Sequence, residues 1–140
     1  PIKFEAGTQR VSQAVAFAAA VRYLQHLGME NVEAWEHELG ARLVEGVQKI
    51  EGVRLLGPAD PSKRAGLVAL AIDGVHPHDV GQLLDTRGIA VRVGHHCAQP
   101  LHRCAGVTAS TRASTYIYNT TEDVDAFLKA LAEVRPYFGF

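Results

Sequence analysis

The first fifty residues carry their apolar side chains at helical spacing. Val11, Ala14, Val15, Ala18, Val21, Leu24 and Leu27 fall on one stripe, which predicts a helix over residues 9–27. Thr8 can cap its start and Gly28 stops it. A second helix is expected over about 32–50. Val32, Trp35, Leu39, Leu43, Val47 and Ile50 would point inward, with Glu33, Glu36, Glu45 and Lys49 outward. Steps of three and four residues are spacings a strand cannot satisfy.

The pattern then shortens. Residues 53–56 form a short apolar run closed by Gly57-Pro58, a polar loop follows to Gly66, and residues 67–72 form a run bounded by glycines. Both runs predict strands. Pro77 suits the first turn of a helix reaching Thr86, with Gly88 as its stop. Ile89 to Val93 reads as a third strand, and 94–106 as a loop with one helical turn after Pro100. Arg112 to Tyr118 reads as a fourth strand. Thr121 caps a last helix with Val124, Phe127, Leu128, Leu131 and Val134 inward, until Pro136. Two leading helices followed by loop-linked strands favour an α+β two-layer domain, a mostly antiparallel four-stranded sheet with helices packed on one face.

Composition narrows the function. Fourteen basic against fifteen acidic residues leave a net charge of -1 in 140 residues, so there is no electrostatic case for nucleic acid or an anionic membrane as the main partner. Two cysteines, Cys97 and Cys104, are too few for a disulfide scaffold, and a reducing, cytoplasmic setting is expected. The start at Pro1, without an initiator methionine, reads as a piece cut from something longer.

Five of the seven histidines (His76, His78, His95, His96 and His102) lie between positions 76 and 102, the stretch that also holds Cys97. Within Val91-Arg-Val-Gly-His-His-Cys-Ala-Gln-Pro-Leu101 a strand delivers the chain to Gly94, and Cys97 follows on a loop near Arg92, His95 and His96. A thiol reacts as thiolate, which nearby cations favour, so this setting suits a reactive cysteine better than a space-filling one. A zinc site is the competing reading, since His95, His96, Cys97, His102 and Cys104 are all suitable ligand types. The absence of a Cys-x-x-Cys pair, and the opposed directions of adjacent residues on an extended chain, count against it. Cys104 reads as incidental, and His76 and His78 as capping or solvent residues beside Pro77. Arg112, on one period-2 face with Ser114, Tyr116 and Tyr118, is a candidate carboxylate clamp; spacing alone does not separate that role from a surface arginine.

Three blocks then coincide: Phe4-Glu-Ala-Gly-Thr8, Arg92-Val-Gly-His-His-Cys-Ala-Gln-Pro100, and Arg112-Ala-Ser with Tyr118-Asn-Thr120. In order and spacing they resemble the C-terminal part of group II, SUF-type cysteine desulfurases of the class V aminotransferase family. The likeness covers essentially the whole chain, including Gly74-Val-His-Pro-His-Asp79. It implies the small domain of a fold-type I pyridoxal-phosphate enzyme, with residues 1–30 as N-terminal segment and connecting helix and 31–140 as the small domain carrying the cysteine loop. The large domain that binds the cofactor would lie outside this chain.

The resemblance also implies chemistry. Family members bind pyridoxal phosphate as a Schiff base, take sulfur from L-cysteine, leave it as a persulfide on the residue matching Cys97 and release L-alanine, the sulfur then supplying iron–sulfur cluster assembly. The substrate-carboxylate arginine matches Arg112. The segment matching Gly7-Thr8 approaches the cofactor phosphate of the neighbouring subunit in a homodimer, and Arg92, His95 and His96 fall in the loop motif as possible support. A sulfur-acceptor protein of the SufE or SufU kind is the implied partner. None of the four lysines (Lys3, Lys49, Lys63, Lys129) stands in the family's His-Lys setting, so no cofactor and no metal are expected on this chain alone, and the chain alone is expected to be inactive. Gln9 and Lys3 depart from the family's common proline and arginine. Selenocysteine lyase activity on the same scaffold is an alternative, and a stand-alone sulfur-carrier module is another.

Overall fold

The structure is a computed structural model that describes residues 2–140. The chain forms two compact units, one ending at Glu33 and one running from Ala34 to Phe140. Within the first, a 3-10 turn (Ile2–Phe4) precedes α1 (Val11–Leu27). Thr8 does not cap α1: the helix begins after Arg10, whose side chain makes no capping bond, and a threonine this far upstream cannot serve the first free amides. Gly28 ends it at φ 86°, donating its N–H to the Gln25 carbonyl.

The apolar stripe of α1 is not buried. Val15 is 63% exposed and no residue of the helix is buried, because the unit contains no second layer to close over it. Helix α2 (Met29–Gln48) starts three residues before the predicted position. The Gly28 carbonyl accepts from the Asn31 and Val32 amides, and the Asn31 amide side chain donates to the Leu27 carbonyl.

The second unit is an antiparallel sheet of four strands in the order β1-β2-β4-β3: β1 (Val53–Leu56), β2 (Leu67–Ile72), β3 (Arg92–Gly94) and β4 (Ser110–Ser114). Between β2 and β3 lies α3 (Pro77–Thr86), and α4 (Gln99–Cys104) separates β3 from β4. The chain ends with α5 (Thr121–Ala132) and α6 (Val134–Tyr137). β1, β2 and α3 have the predicted boundaries. His76 caps α3, its Nδ1 accepting from the His78 amide at 3.3 Å.

Side-chain alternation sorts the sheet into two faces. Val68, Leu70 and Ile72 of β2 join Leu39, Leu43, Val44 and Val47 of α2, Val80 and Leu84 of α3, and Val124, Phe127, Leu131 and Val134 in one buried core. Helices α2, α3 and α5 therefore cover one face. Leu70, fully buried on the central strand β2, is the position whose truncation should be felt most. Leu70→Ala is expected to cost about 2–5 kcal/mol by urea unfolding, and a loss under about 1 kcal/mol would contradict this packing.

Further boundaries differ from expectation. β3 begins at Arg92 because the Ile89 amide is bonded to the Leu84 carbonyl at the end of α3. β4 is shifted toward Ser110, pairing Ser110 with Gly94. It stops at Ser114, after which Asn119 accepts the Tyr116 amide and turns the chain. The last helix is capped by Thr120 rather than Thr121, in a reciprocal box with Asp123, which satisfies two amides at once.

Candidate functional site

The register places the candidate residues on the face of the sheet away from the core. Leu56 pairs with Ala69, Ala69 with Arg112, and Arg112 with Arg92, so one row crosses the sheet and ends in two arginines directly opposite each other. Like charges in that position destabilise a strand pair. Neither forms an ion pair with a carboxylate among the described residues, where Arg42–Asp125, Lys63–Asp60 and Arg87–Glu133 are paired elsewhere. Arg112 is half-buried, and its Nε is buried without a hydrogen-bond partner. Two arginines opposite each other in register, one with an unpartnered N–H, suit a carboxylate.

Beyond Gly94 the chain folds back over this face. His96 and Cys97 adopt left-handed backbone conformations, φ 52° and 62°, which cost non-glycine residues roughly 1–2 kcal/mol each. The corner leaves Cys97 exposed as a free thiol. Arg92 Nη2 donates toward its Sγ at 3.9 Å, so a negative charge developing on sulfur meets a cation there. Arg92, Val93, His95, His96, Gln99 and Pro100 line the open cleft around the thiol.

Beneath the corner the fully buried Ser110 hydroxyl is bonded to two imidazoles. His96 Nε2 and His102 Nε2 each lie 2.9 Å from Ser110 Oγ, and His102 Nδ1 lies 3.0 Å from the Ala98 carbonyl. A carbonyl only accepts, so His102 Nδ1 carries the proton. In the neutral ring its Nε2 then accepts from the Ser110 O–H, and Ser110 Oγ accepts the Nε2–H of His96. That leaves a lone pair on His96 Nδ1, which is buried without a partner.

Burial, followed by repulsion from Arg112, from His102 whenever that ring is protonated, and from Arg92, holds the His96 pKa below the ordinary histidine value of 6.5. Because the folded value lies below the unfolded one, the stability of this arrangement is fully present above pH 6.5. It declines as the pH falls below that value and levels off beneath the folded pKa. An NMR titration of the His96 ring is expected to give a midpoint below that of free imidazole; a midpoint above it would contradict the assigned neutral ring.

The structure thus brings Cys97, Arg92, Arg112 and His96 to one face. His95 is exposed and meets only the edge of the His102 ring, at 5.7 Å between centroids. Gly7, at φ 79°, and the exposed Thr8 belong to the first unit, ahead of α1. Among the described residues no group of three or more His, Cys, Asp or Glu is placed to hold a metal ion, and no helix is long and apolar enough to cross a membrane.

The Aminotransferase class-V family model matches residues 1–127. The chain belongs to that family. A curated relative, the probable cysteine desulfurase 2 of Mycobacterium leprae, is 50% identical over 139 residues, which are 99% of this chain and 33% of the relative. Among solved structures, the apo cysteine desulfurase of Thermococcus onnurineus NA1 superposes with a TM-score of 0.88 at 41% identity. That match covers 96% of this chain and 33% of the other. The cysteine desulfurase CsdA of Escherichia coli, in its S-sulfonic acid form, gives 0.87 at 35% identity, covering 98% and 33%. The chain spans about a third of the length of the curated relatives it matches.

Within this class-V chain, sequence reasoning passed over Ser110 and left His102 without a task beyond possible metal binding. The signal was present for both. Counting back two from Arg112 puts Ser110 on the same face, and four residues separate Ala98 from His102, one helical turn.

Proposed function

We propose that this chain is the thiol-bearing part of a pyridoxal-phosphate-dependent cysteine desulfurase of the SUF type, which converts L-cysteine to L-alanine and a persulfide on Cys97. The observation that carries the reading is the left-handed corner that presents an exposed Cys97 beside Arg92, over the Arg92–Arg112 pair.

In this reading the Arg112 fork holds the substrate carboxylate, and Arg92 faces the attacking sulfur. The Cys97 thiolate attacks the substrate sulfur. One S–S bond forms and the bond from that sulfur to Cβ breaks. The bonding pair stays with the carbon, which gains a proton and ends as the methyl group of alanine. Cys97 retains the transferred sulfur.

The chain's own residues do not fit a covalent cofactor site, because no lysine lines the cleft at Cys97. The Schiff-base lysine would belong to a large domain elsewhere in the polypeptide, where the cofactor withdraws electrons from the substrate carbon skeleton. Residues 1–30 would be the N-terminal segment and connecting helix of the full enzyme and 31–140 its small domain. Gly7 and Thr8 would approach the cofactor phosphate of the other subunit of a homodimer. An acceptor protein of the SufE or SufU kind would take the persulfide sulfur toward iron–sulfur cluster assembly in the cytoplasm.

The test is mass spectrometry on the protein in which this chain is joined to its cofactor domain. After incubation with L-cysteine, the Cys97 peptide should gain the mass of one sulfur atom and the Cys104 peptide should not. Sulfur release without a persulfide on Cys97, or with one on Cys104, would overturn the reading.

A further inference from the structure

We propose that Ser110 and His102 are positioning residues for the Cys97 thiol. The two bonds to the Ser110 hydroxyl pin the His96 ring under the loop and so hold the left-handed His96–Cys97 corner. The inference rests on Cys97 being the nucleophile.

Packing alone does not support that corner. An apolar cleft of about 230 Å³, lined by Leu56, Ala69, Ala98, Leu101 and Ala105 together with the three hydrogen-bonded residues, lies behind it. A strained backbone persists only where its surroundings over-determine it. Here the anchor on the sheet is Ser110, fully buried and paired with Gly94 on β3, two residues before His96. The second anchor is His102, 6% exposed, which ties the same hydroxyl to the Ala98 carbonyl just past Cys97. One hydroxyl on β4 is therefore linked to the chain on both sides of the thiol. Losing it frees His96 to rotate into the cleft, and the Cys97 sulfur then drifts from Arg92 and from substrate held at Arg112.

Three variants test this in the protein that joins this chain to its cofactor domain: Ser110→Ala, Ser110→Thr and His102→Leu. Ser110→Ala should lower kcat for sulfide release from L-cysteine roughly fivefold to tenfold. KM should hold, because Arg92 and Arg112 are untouched. His102→Leu should do the same. Ser110→Thr keeps the hydroxyl, has the cleft to receive its methyl group, and should restore the wild-type rate.

Iodoacetamide labelling gives a reading that does not depend on turnover. Ser110→Ala should slow alkylation of Cys97 and leave that of Cys104 unchanged. An unchanged kcat and Cys97 labelling rate in Ser110→Ala would overturn the proposal. Equal impairment in the alanine and threonine variants would overturn it too, since volume rather than the hydroxyl would then matter. Failure of Cys97 as the nucleophile shows separately, as sulfide release that survives Cys97→Ser.

Discussion

Replacing Cys97 by serine is expected to abolish desulfuration, by more than about a thousandfold in sulfide release, while substrate binding survives. The exposed thiol on its left-handed corner is the group that would accept sulfur, and a hydroxyl in its place forms no persulfide. Arg92 and Arg112 remain, so L-cysteine should still bind, and KD measured by the cofactor's absorption change should shift little. The backbone argues the same way: serine is close to cysteine in size, so the corner at φ 62° is kept and the loss cannot be assigned to a collapsed loop. Cys104 provides the internal comparison. It too is exposed, yet among the described residues no cation is bonded to its sulfur, and Cys104→Ser should leave turnover within about twofold of wild type. Turnover that survives Cys97→Ser, or is lost in Cys104→Ser, would remove Cys97 from the mechanism.

What the residues announced, and what they did not, follows from how local each determinant is. β1 and β2 were legible because short, mostly apolar runs between glycines have few other uses, and α3 because Pro77 and Gly88 bracket it. The helix α1 was legible but the exposure of its stripe was not, since periodicity says which side chains align, not whether a second layer exists to cover them. The start of β3 was hidden for a related reason: Ile89 has strand composition, but its amide is bonded back to α3. In the site, Cys97 and Arg112 stand out by residue type and motif. The pairing of Arg92 with Arg112 does not, because it depends on the register of two strands separated along the chain by the cysteine loop and α4. Ser110 is silent for the same reason, acquiring its meaning only when β4 brings it beneath the loop.

Arg112 carries the second large effect. Its half-buried guanidinium, with Nε unpartnered and Arg92 directly opposite, is paired with no acid in the described structure. A substrate carboxylate seated there would supply the missing acceptor and relieve the repulsion between the two cations. Arg112→Lys keeps the charge and loses the fork. With a charge-assisted hydrogen bond worth about 1.5–3 kcal/mol, kcat/KM for L-cysteine should fall roughly tenfold to hundredfold. Arg112→Ala should fall further, since the carboxylate then meets only Arg92. Cysteamine, which lacks a carboxylate, separates this role from a structural one. It should be processed poorly by the wild type and no worse by either variant. A structural arginine would behave differently: Arg112 lies on the central pair β2–β4, and if its task were to hold the sheet, the variants would lose thermal stability and damage both substrates alike. Equal losses on L-cysteine and cysteamine would therefore withdraw the carboxylate role, whereas a loss confined to L-cysteine assigns the paired arginines to the carboxylate and leaves the thiol corner to the sulfur.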